Sequence, residues 1–394
     1  DKLHDIFVQN GVNAVFTGHF HMYFSGTYDG IRYTGIGSSG GSCDERPLGL
    51  KFQYCWVTLS DNDIHIAPIK KDSVMAWDEV SVAHQKMMDT IEQTGFTFLD
   101  PVLITDELNV PQTKLALEIS NPDPQKTLEG PLSVSAPGHW TVSKAEYPVS
   151  VGPKQKQVVT LEMSSPGPVY PSPIVSLKFP VLGNKEFVLQ HYIPLTRKTV
   201  CRHATVPPVI DGHLDDTIWR SAINQFFSAD GQKLTSSDVS FSFAYDEKHL
   251  YIGVKNSETN MNELVKKASE RDDAVYFDDC AGFLVQPDLD KPVVYQIYIN
   301  PLGTVFDQRI TVKDDGGLTS DPSWNGTYVI QTDETGIGWT VEMAIPLAQF
   351  EISATSGTTW RLNFRRKFQK SNASANWLVP FNFSPKSLGT MVFE

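Results

Sequence analysis

Apolar and polar residues alternate along most of the chain, and that alternation predicts its elements. Ala14–Thr17 is a short apolar run of the buried-strand type. Asp1–Asn10 before it can form a short helix, with Gly11 placed as its C-terminal stop. Tyr23–Tyr28 and Ile31–Gly35 flank Asp29-Gly30 and predict a hairpin. Phe52–Leu59 and Ile64–Ile69 alternate about the turn Ser60-Asp61-Asn62-Asp63 and predict another. The period then changes: Val80, Ala83, Met87, Met88 and Ile91 fall at helical spacing over 80–94, and Gly95 follows. From Phe96 to Thr199 the period is two again. Lys114–Ser120, Leu132–Ser135, Val149–Val151, Val158–Met163, Ile174–Pro180 and Glu186–Ile193 are closely spaced strands, which predicts a β-sandwich with Trp140 as a core plug.

Beyond the Pro207-Pro208 pair the same alternation continues. Phe241, Phe243 and Tyr245 form one set, Leu250, Ile252 and Val254 the next. Gly282 with Leu284, then Tyr295, Ile297 and Ile299, then Trp339, Val341 and Met343 follow. These predict antiparallel strands with one buried face each, hence a second sandwich. Trp219, Trp339 and Trp360 lie in the periodic runs and are expected in its core. The expected division is residues 1–70, a linker helix within 71–95, a sandwich over 96–199 and another over 200–394. The fold class is mostly β and multidomain.

The net charge of −13 argues against a nucleic-acid backbone as partner. No apolar run approaches the length of a transmembrane segment. The chain begins with Asp, as a cut or processed end would, so a signal peptide cannot be judged. Cys43, Cys55, Cys201 and Cys280 form no C-x-x-C. Cys43 and Cys55 could pair across a hairpin, or all four could be buried free thiols.

The densest candidate chemistry is Gly18-His19-Phe20-His21. In extended chain, residues two apart point the same way, so both imidazoles would leave the strand end toward one spot. That suits a divalent metal, although two loop histidines give the same pattern. With the preceding helix and strand, and the Gly/Ser-rich 35–41 after it, the order resembles the last motif of the calcineurin-like metallophosphoesterases. The resemblance spans about residues 1–70. It implies that His19 and His21 each ligate one metal of a Mn, Fe or Zn pair that cleaves a phosphoester. The family's Asp-x-His, Gly-Asp-x-x-Asp and Gly-Asn-His-Asp/Glu motifs are absent upstream. The expectation is therefore the tail of an α/β metallophosphoesterase sandwich, from a hydrolase parent, without catalysis of its own.

Leu128-Glu129-Gly130-Pro131-Leu132, Pro137-Gly138-His139-Trp140 and Val151-Gly152-Pro153-Lys154-Gln155 resemble a bacterial Ig-like spacer. From residue 200 onward the chain resembles the family 9 carbohydrate-binding modules. The likeness rests on Ile210–Trp219 (Ile-Asp-Gly-x-Leu-Asp-x-x-x-Trp), Tyr245–Ile252 and Asp278-Asp279. It continues through Tyr298–Gly303, Gly338–Pro346, Arg361–Arg366 and Leu388-Gly389. It implies an antiparallel β-sandwich that binds a polysaccharide or oligosaccharide, at a bacterial envelope or outside the cell. Trp377 and Trp324 lie in polar, turn-rich stretches, where an indole beside amides suits a sugar ring. Either could instead fold over a sheet edge. Tyr276 stands where the family often has an aromatic, and Arg309 and Arg365 are candidate hydroxyl donors. Gly282 departs from the family, which commonly has a sugar-contacting glutamate there. Asp211, Asp215 and Asp278 could hold calcium through carboxylate oxygens, or be solvated turn acids. The alternative function is a structural or adhesion module that binds no sugar.

Overall fold

The computed structural model describes all residues except 1, 42–51, 62, 71–72, 182–184, 235–238, 259, 314–316 and 353. Cys43 and Asn62 therefore lie outside the described residues; Cys55, Cys201 and Cys280 are free thiols. The chain is mostly β. At its start, the helix Lys2–Gln9 leads into Ala14–Thr17, which pairs in parallel with Ile31–Gly35. Phe24–Tyr28 closes the hairpin on the other side of Ile31–Gly35. Gln53–Leu59, Ile64–Lys70 and Ser73–Val74 make a separate three-stranded sheet.

The linker helix runs over Val82–Thr94, two residues later than its periodicity suggests, because Ser81 caps it. The Ser81 hydroxyl accepts from the His84 N–H, and His84 returns a bond to the Ser81 backbone, as a glutamate would in a capping box. Its fully buried Met88 and Ile91 join the core of the next sandwich. That sandwich has two four-stranded sheets. One orders Glu146–Val151, Leu128–Ser135, Ile174–Val181 and Lys185–Tyr192; the other Thr141–Val142, Lys156–Ser165, Val110–Ser120 and Phe96–Phe98. Trp140 is buried between them, and its indole N–H donates to the Pro171 carbonyl at 3.2 Å.

The C-terminal sandwich is one continuous sheet folded on itself. Lys198–His203 is its hinge: it pairs in parallel with Gly389–Phe393 on one side and Val239–Tyr245 on the other. This strand precedes Pro207-Pro208 and begins before residue 200. One half then runs through Thr359–Phe368, Cys280–Gln286, Val293–Ile299 and Val305–Val312; the other through His249–Ser257, Gly338–Pro346 and Val329–Thr335. Phe241, Ile252, Val341 and Met343 face Phe283, Ile297, Trp360 and Phe364 across the core. Phe283, not Gly282, is the inward residue of its strand. The two halves differ on their outer faces. The segment Ile210–Trp219 straps the second half, with Trp219 packed on Ala244, Tyr251 and Ala344. Among the described residues, the loops around 276 and 381 cover the first half.

Candidate functional site

Four adjacent strands set one row of side chains on that less covered face. Gly282 lies opposite Tyr298 on one side and Arg365 on the other, and Tyr298 lies opposite Phe306. A Cβ at Gly282 would sit 2.3 Å from the Tyr298 ring, so the ring lies across the glycine. Such cross-strand covering of a glycine by an aromatic stabilises a sheet position that has no side chain of its own. An Nη2 hydrogen of Arg365 is donated to the Tyr298 hydroxyl at 2.7 Å. The guanidinium is 4.3 Å from the Phe381 centroid and 5.6 Å from that of Tyr298. Its Nε is buried, with no partner among the described residues. Tyr276 comes from the loop before the first strand of the row. Its ring meets Phe306 edge-on at 5.1 Å and approaches Tyr298 at 6.4 Å. Burial raises the Tyr298 phenol above its ordinary pKa, against the pull of Arg365. The face therefore offers half-buried rings (Tyr276, Phe306, Phe381), a stacked cation and the Gln296–Gln308 amide pair. Beside Tyr276, Phe277 is 62% exposed, with the Lys367 ammonium 5.7 Å from its ring. Rings present apolar surface, while guanidinium and amides donate hydrogen bonds.

Of the five residues expected to contact sugar, Tyr276 and Arg365 meet here. Trp377 does not. It is 1% exposed, stacked on Phe364 at 4.9 Å and 14°, with Gly389 beneath it. The polar stretch before it is a strand, Ala373–Asn376, whose alternation carries Ala375 and Trp377 inward. Trp324 closes the sandwich edge against Tyr295 at 4.7 Å. Arg309 lies opposite Tyr295, a core-side residue, and pairs with Asp321 at 2.8 Å. Sequence reasoning missed Tyr298, Phe306, Phe381 and Phe277. For Tyr298 a signal existed: Ile297 and Ile299 face inward, so a period of two turns Tyr298 outward.

The acids are spent on backbone. Asp278 is buried and accepts from the N–H groups of Lys267 (3.0 Å) and Ala268 (2.9 Å) and from Asn300 Nδ2 (2.9 Å). Asp279 accepts from the Val265 N–H at 2.7 Å and from buried Arg366 at 2.9 Å. Asp211 and Asp215 are exposed in the 210–219 strap, and Asp211 accepts from the His213 N–H. Among the described residues no group of three or more His, Cys, Asp or Glu is placed to share a metal ion. Asp211, Asp215 and Asp278 are therefore not gathered into one such group. His19 and His21 follow a strand that ends at Thr17, and both have left-handed backbone, with φ of 82° and 55°. The extended geometry expected for the pair is not found, and the two imidazoles alone do not make a metal centre.

No protein-family profile and no curated protein matches the sequence. Among solved structures, the chain is similar to a family 9 carbohydrate-binding module from Caldicellulosiruptor kristjanssonii in complex with cellotriose. Identity is 18% over 50% of this chain and 93% of that one, with a TM-score of 0.35. The same module in complex with glucose gives 18%, 50%, 95% and 0.34. A candidate carbohydrate-binding protein from Bacteroides uniformis gives 20%, 50%, 100% and 0.36.

Proposed function

We propose that the C-terminal sandwich binds an oligosaccharide or polysaccharide on the face formed by Tyr276, Tyr298, Phe306, Phe381 and Arg365. The observation that carries this reading is Arg365, whose guanidinium is held between the rings of Phe381 and Tyr298 on that face. Sugar rings stack their C–H faces on aromatic rings, and their hydroxyls accept from guanidinium and amide donors. Affinity is modest, because sugars shed bound water on binding. The reading has the chain acting at or outside a bacterial envelope; among the described residues no helix is long and apolar enough to cross a membrane. The test is calorimetry and affinity electrophoresis of the full chain against soluble and insoluble glycans. Tyr276→Ala and Phe381→Ala should each weaken binding about tenfold, the loss of about 1.4 kcal/mol. If no glycan is retained, or both variants bind like the parent, the structural-module reading replaces this one.

For residues 1–70 we propose the closing segment of a two-metal phosphoesterase, with His19 and His21 as ligands. Two features support it beside the sequence resemblance. Gly-His-x-His leaves the carboxyl end of a parallel-paired strand, the kind that α/β sandwiches bury on both faces. Its neighbours also expose apolar surface that a larger sandwich would cover: Leu3, Ile6, Tyr54, Trp56 and Leu59 are each more than half exposed.

A further inference from the structure

The junction between the two sandwiches holds a cation that the fold satisfies only in part. Arg197 is 1% exposed. Its Nη1 donates to the carbonyls of Gln225 (2.8 Å) and Trp377 (3.2 Å). Its Nη2 has the Asp106 carboxylate at 4.0 Å, beyond hydrogen-bond length, and its Nε is buried with no partner among the described residues. Burial pushes this guanidinium down to about 10, against the opposing pull of Asp106. A buried cation short of acceptors is costly unless something supplies them.

Arg197 is among the residues that line a cleft of about 410 Å³. Lys198 and Arg202 line it from one strand; four residues apart, they share a side. Arg220, at the end of the turn Thr217–Arg220, lines it from the opposite segment. Asp106 is the one acid among the lining residues. Four cations against one acid, in a chain of net charge −13, invert the local charge. Guanidinium groups match the paired oxygens of carboxylate, sulfate and phosphate.

We propose that this cleft is an oxyanion-binding site, in which Arg197 anchors and Lys198, Arg202 and Arg220 surround a carboxylate, sulfate or phosphate group. The group can come from an acidic saccharide or from a free ion, and the site is independent of the aromatic face around Arg365. The test is calorimetry of the full chain with a uronate oligosaccharide, inorganic phosphate and a neutral gluco-oligosaccharide. The anions should bind, more weakly as salt rises, and the neutral sugar should give no signal that depends on this cleft. Arg202→Gln with Arg220→Gln, both exposed residues, should weaken anion binding at least tenfold without moving the melting midpoint. Phe381→Ala should leave anion binding unchanged, which separates this site from the glycan face. Variant-sensitive binding of the uronate identifies a saccharide as the source; variant-sensitive binding of phosphate alone identifies a free ion. Absence of binding by either anion, or binding unchanged in the double variant, overturns the proposal.

Discussion

The backbone N–H of Gly212 donates to the Glu342 carboxylate at 2.8 Å. The two residues are 130 positions apart. Asp211 N–H (2.8 Å) and Leu214 N–H (3.0 Å) donate to the same carboxylate, which is fully buried. Two phrases of the family resemblance, Ile210–Trp219 and Gly338–Pro346, are thus one device: a loop folded around an acid. Gly212 has φ +93°, and a Cβ there would press on the Thr332 backbone at 3.1 Å.

Glu342→Gln should destabilise the C-terminal sandwich by about 2 kcal/mol, since an amide replaces an oxygen that accepts from backbone with a donor. Chemical denaturation followed by tryptophan fluorescence measures this. A loss under about 0.5 kcal/mol, the range of ordinary surface changes, would count against the role given to the carboxylate.

Asp246 does the corresponding work in the hairpin turn of Tyr245–Ile252. It accepts from the Tyr251 hydroxyl (2.6 Å) and from the N–H groups of Lys248 and His249 (2.7 Å each). Burial raises its pKa, but these donors together outweigh burial and hold it below the ordinary value. The folded value being depressed, the stabilisation is present above the unfolded pKa and is lost as pH falls through the folded one. Asp246→Asn should therefore cost about 1 kcal/mol at neutral pH and flatten the acid limb of the stability profile. An acid limb of unchanged slope would remove Asp246 from it.

Trp377→Ala should cost about 3–5 kcal/mol, the range for emptying a large core site. Phe381→Ala, half-buried at the open face, should cost about 1 kcal/mol or less. Thermal melts of the two variants side by side check the ordering, and the reverse order would put Trp377 at the surface after all.

The chain alone should show no phosphoesterase turnover, because a two-metal centre needs acidic and amide ligands beyond two imidazoles. An aryl-phosphate assay with Mn²⁺, Zn²⁺ and Fe²⁺ decides it; turnover abolished by His19→Ala with His21→Ala would overturn the expectation.

The strands were legible wherever apolar residues alternate, as in Phe241–Tyr245 or Trp339–Met343. Lys198–His203 was not, because Cys201 is its one fully buried residue and its two partners are distant in sequence. Trp377 was misjudged from its polar neighbours: what buries it is Phe364, Gly389 and Arg197, from elements that local composition cannot reveal. Tyr276 and Arg365, named beside the family phrases, both lie against Tyr298. Tyr298 was passed over although its parity was readable, and Phe381 sits in a loop whose path depends on the completed sheet. Gly282 read as a missing contact; in the fold it is the floor on which Tyr298 rests.

The hinge strand has a mechanical consequence. Lys198 pairs with Thr390 and Cys201 with Phe393, so the first and last strands of the C-terminal sandwich are neighbours running the same way. Tension applied at the two ends of that sandwich drags these strands lengthwise past each other. Their hydrogen bonds are sheared together instead of being peeled one at a time. Single-molecule extension should record one high-force rupture for this sandwich, and a run of small low-force steps would refute it. A module gripping a polysaccharide on its open face would then hold its load through the seam that also joins it to the rest of the chain.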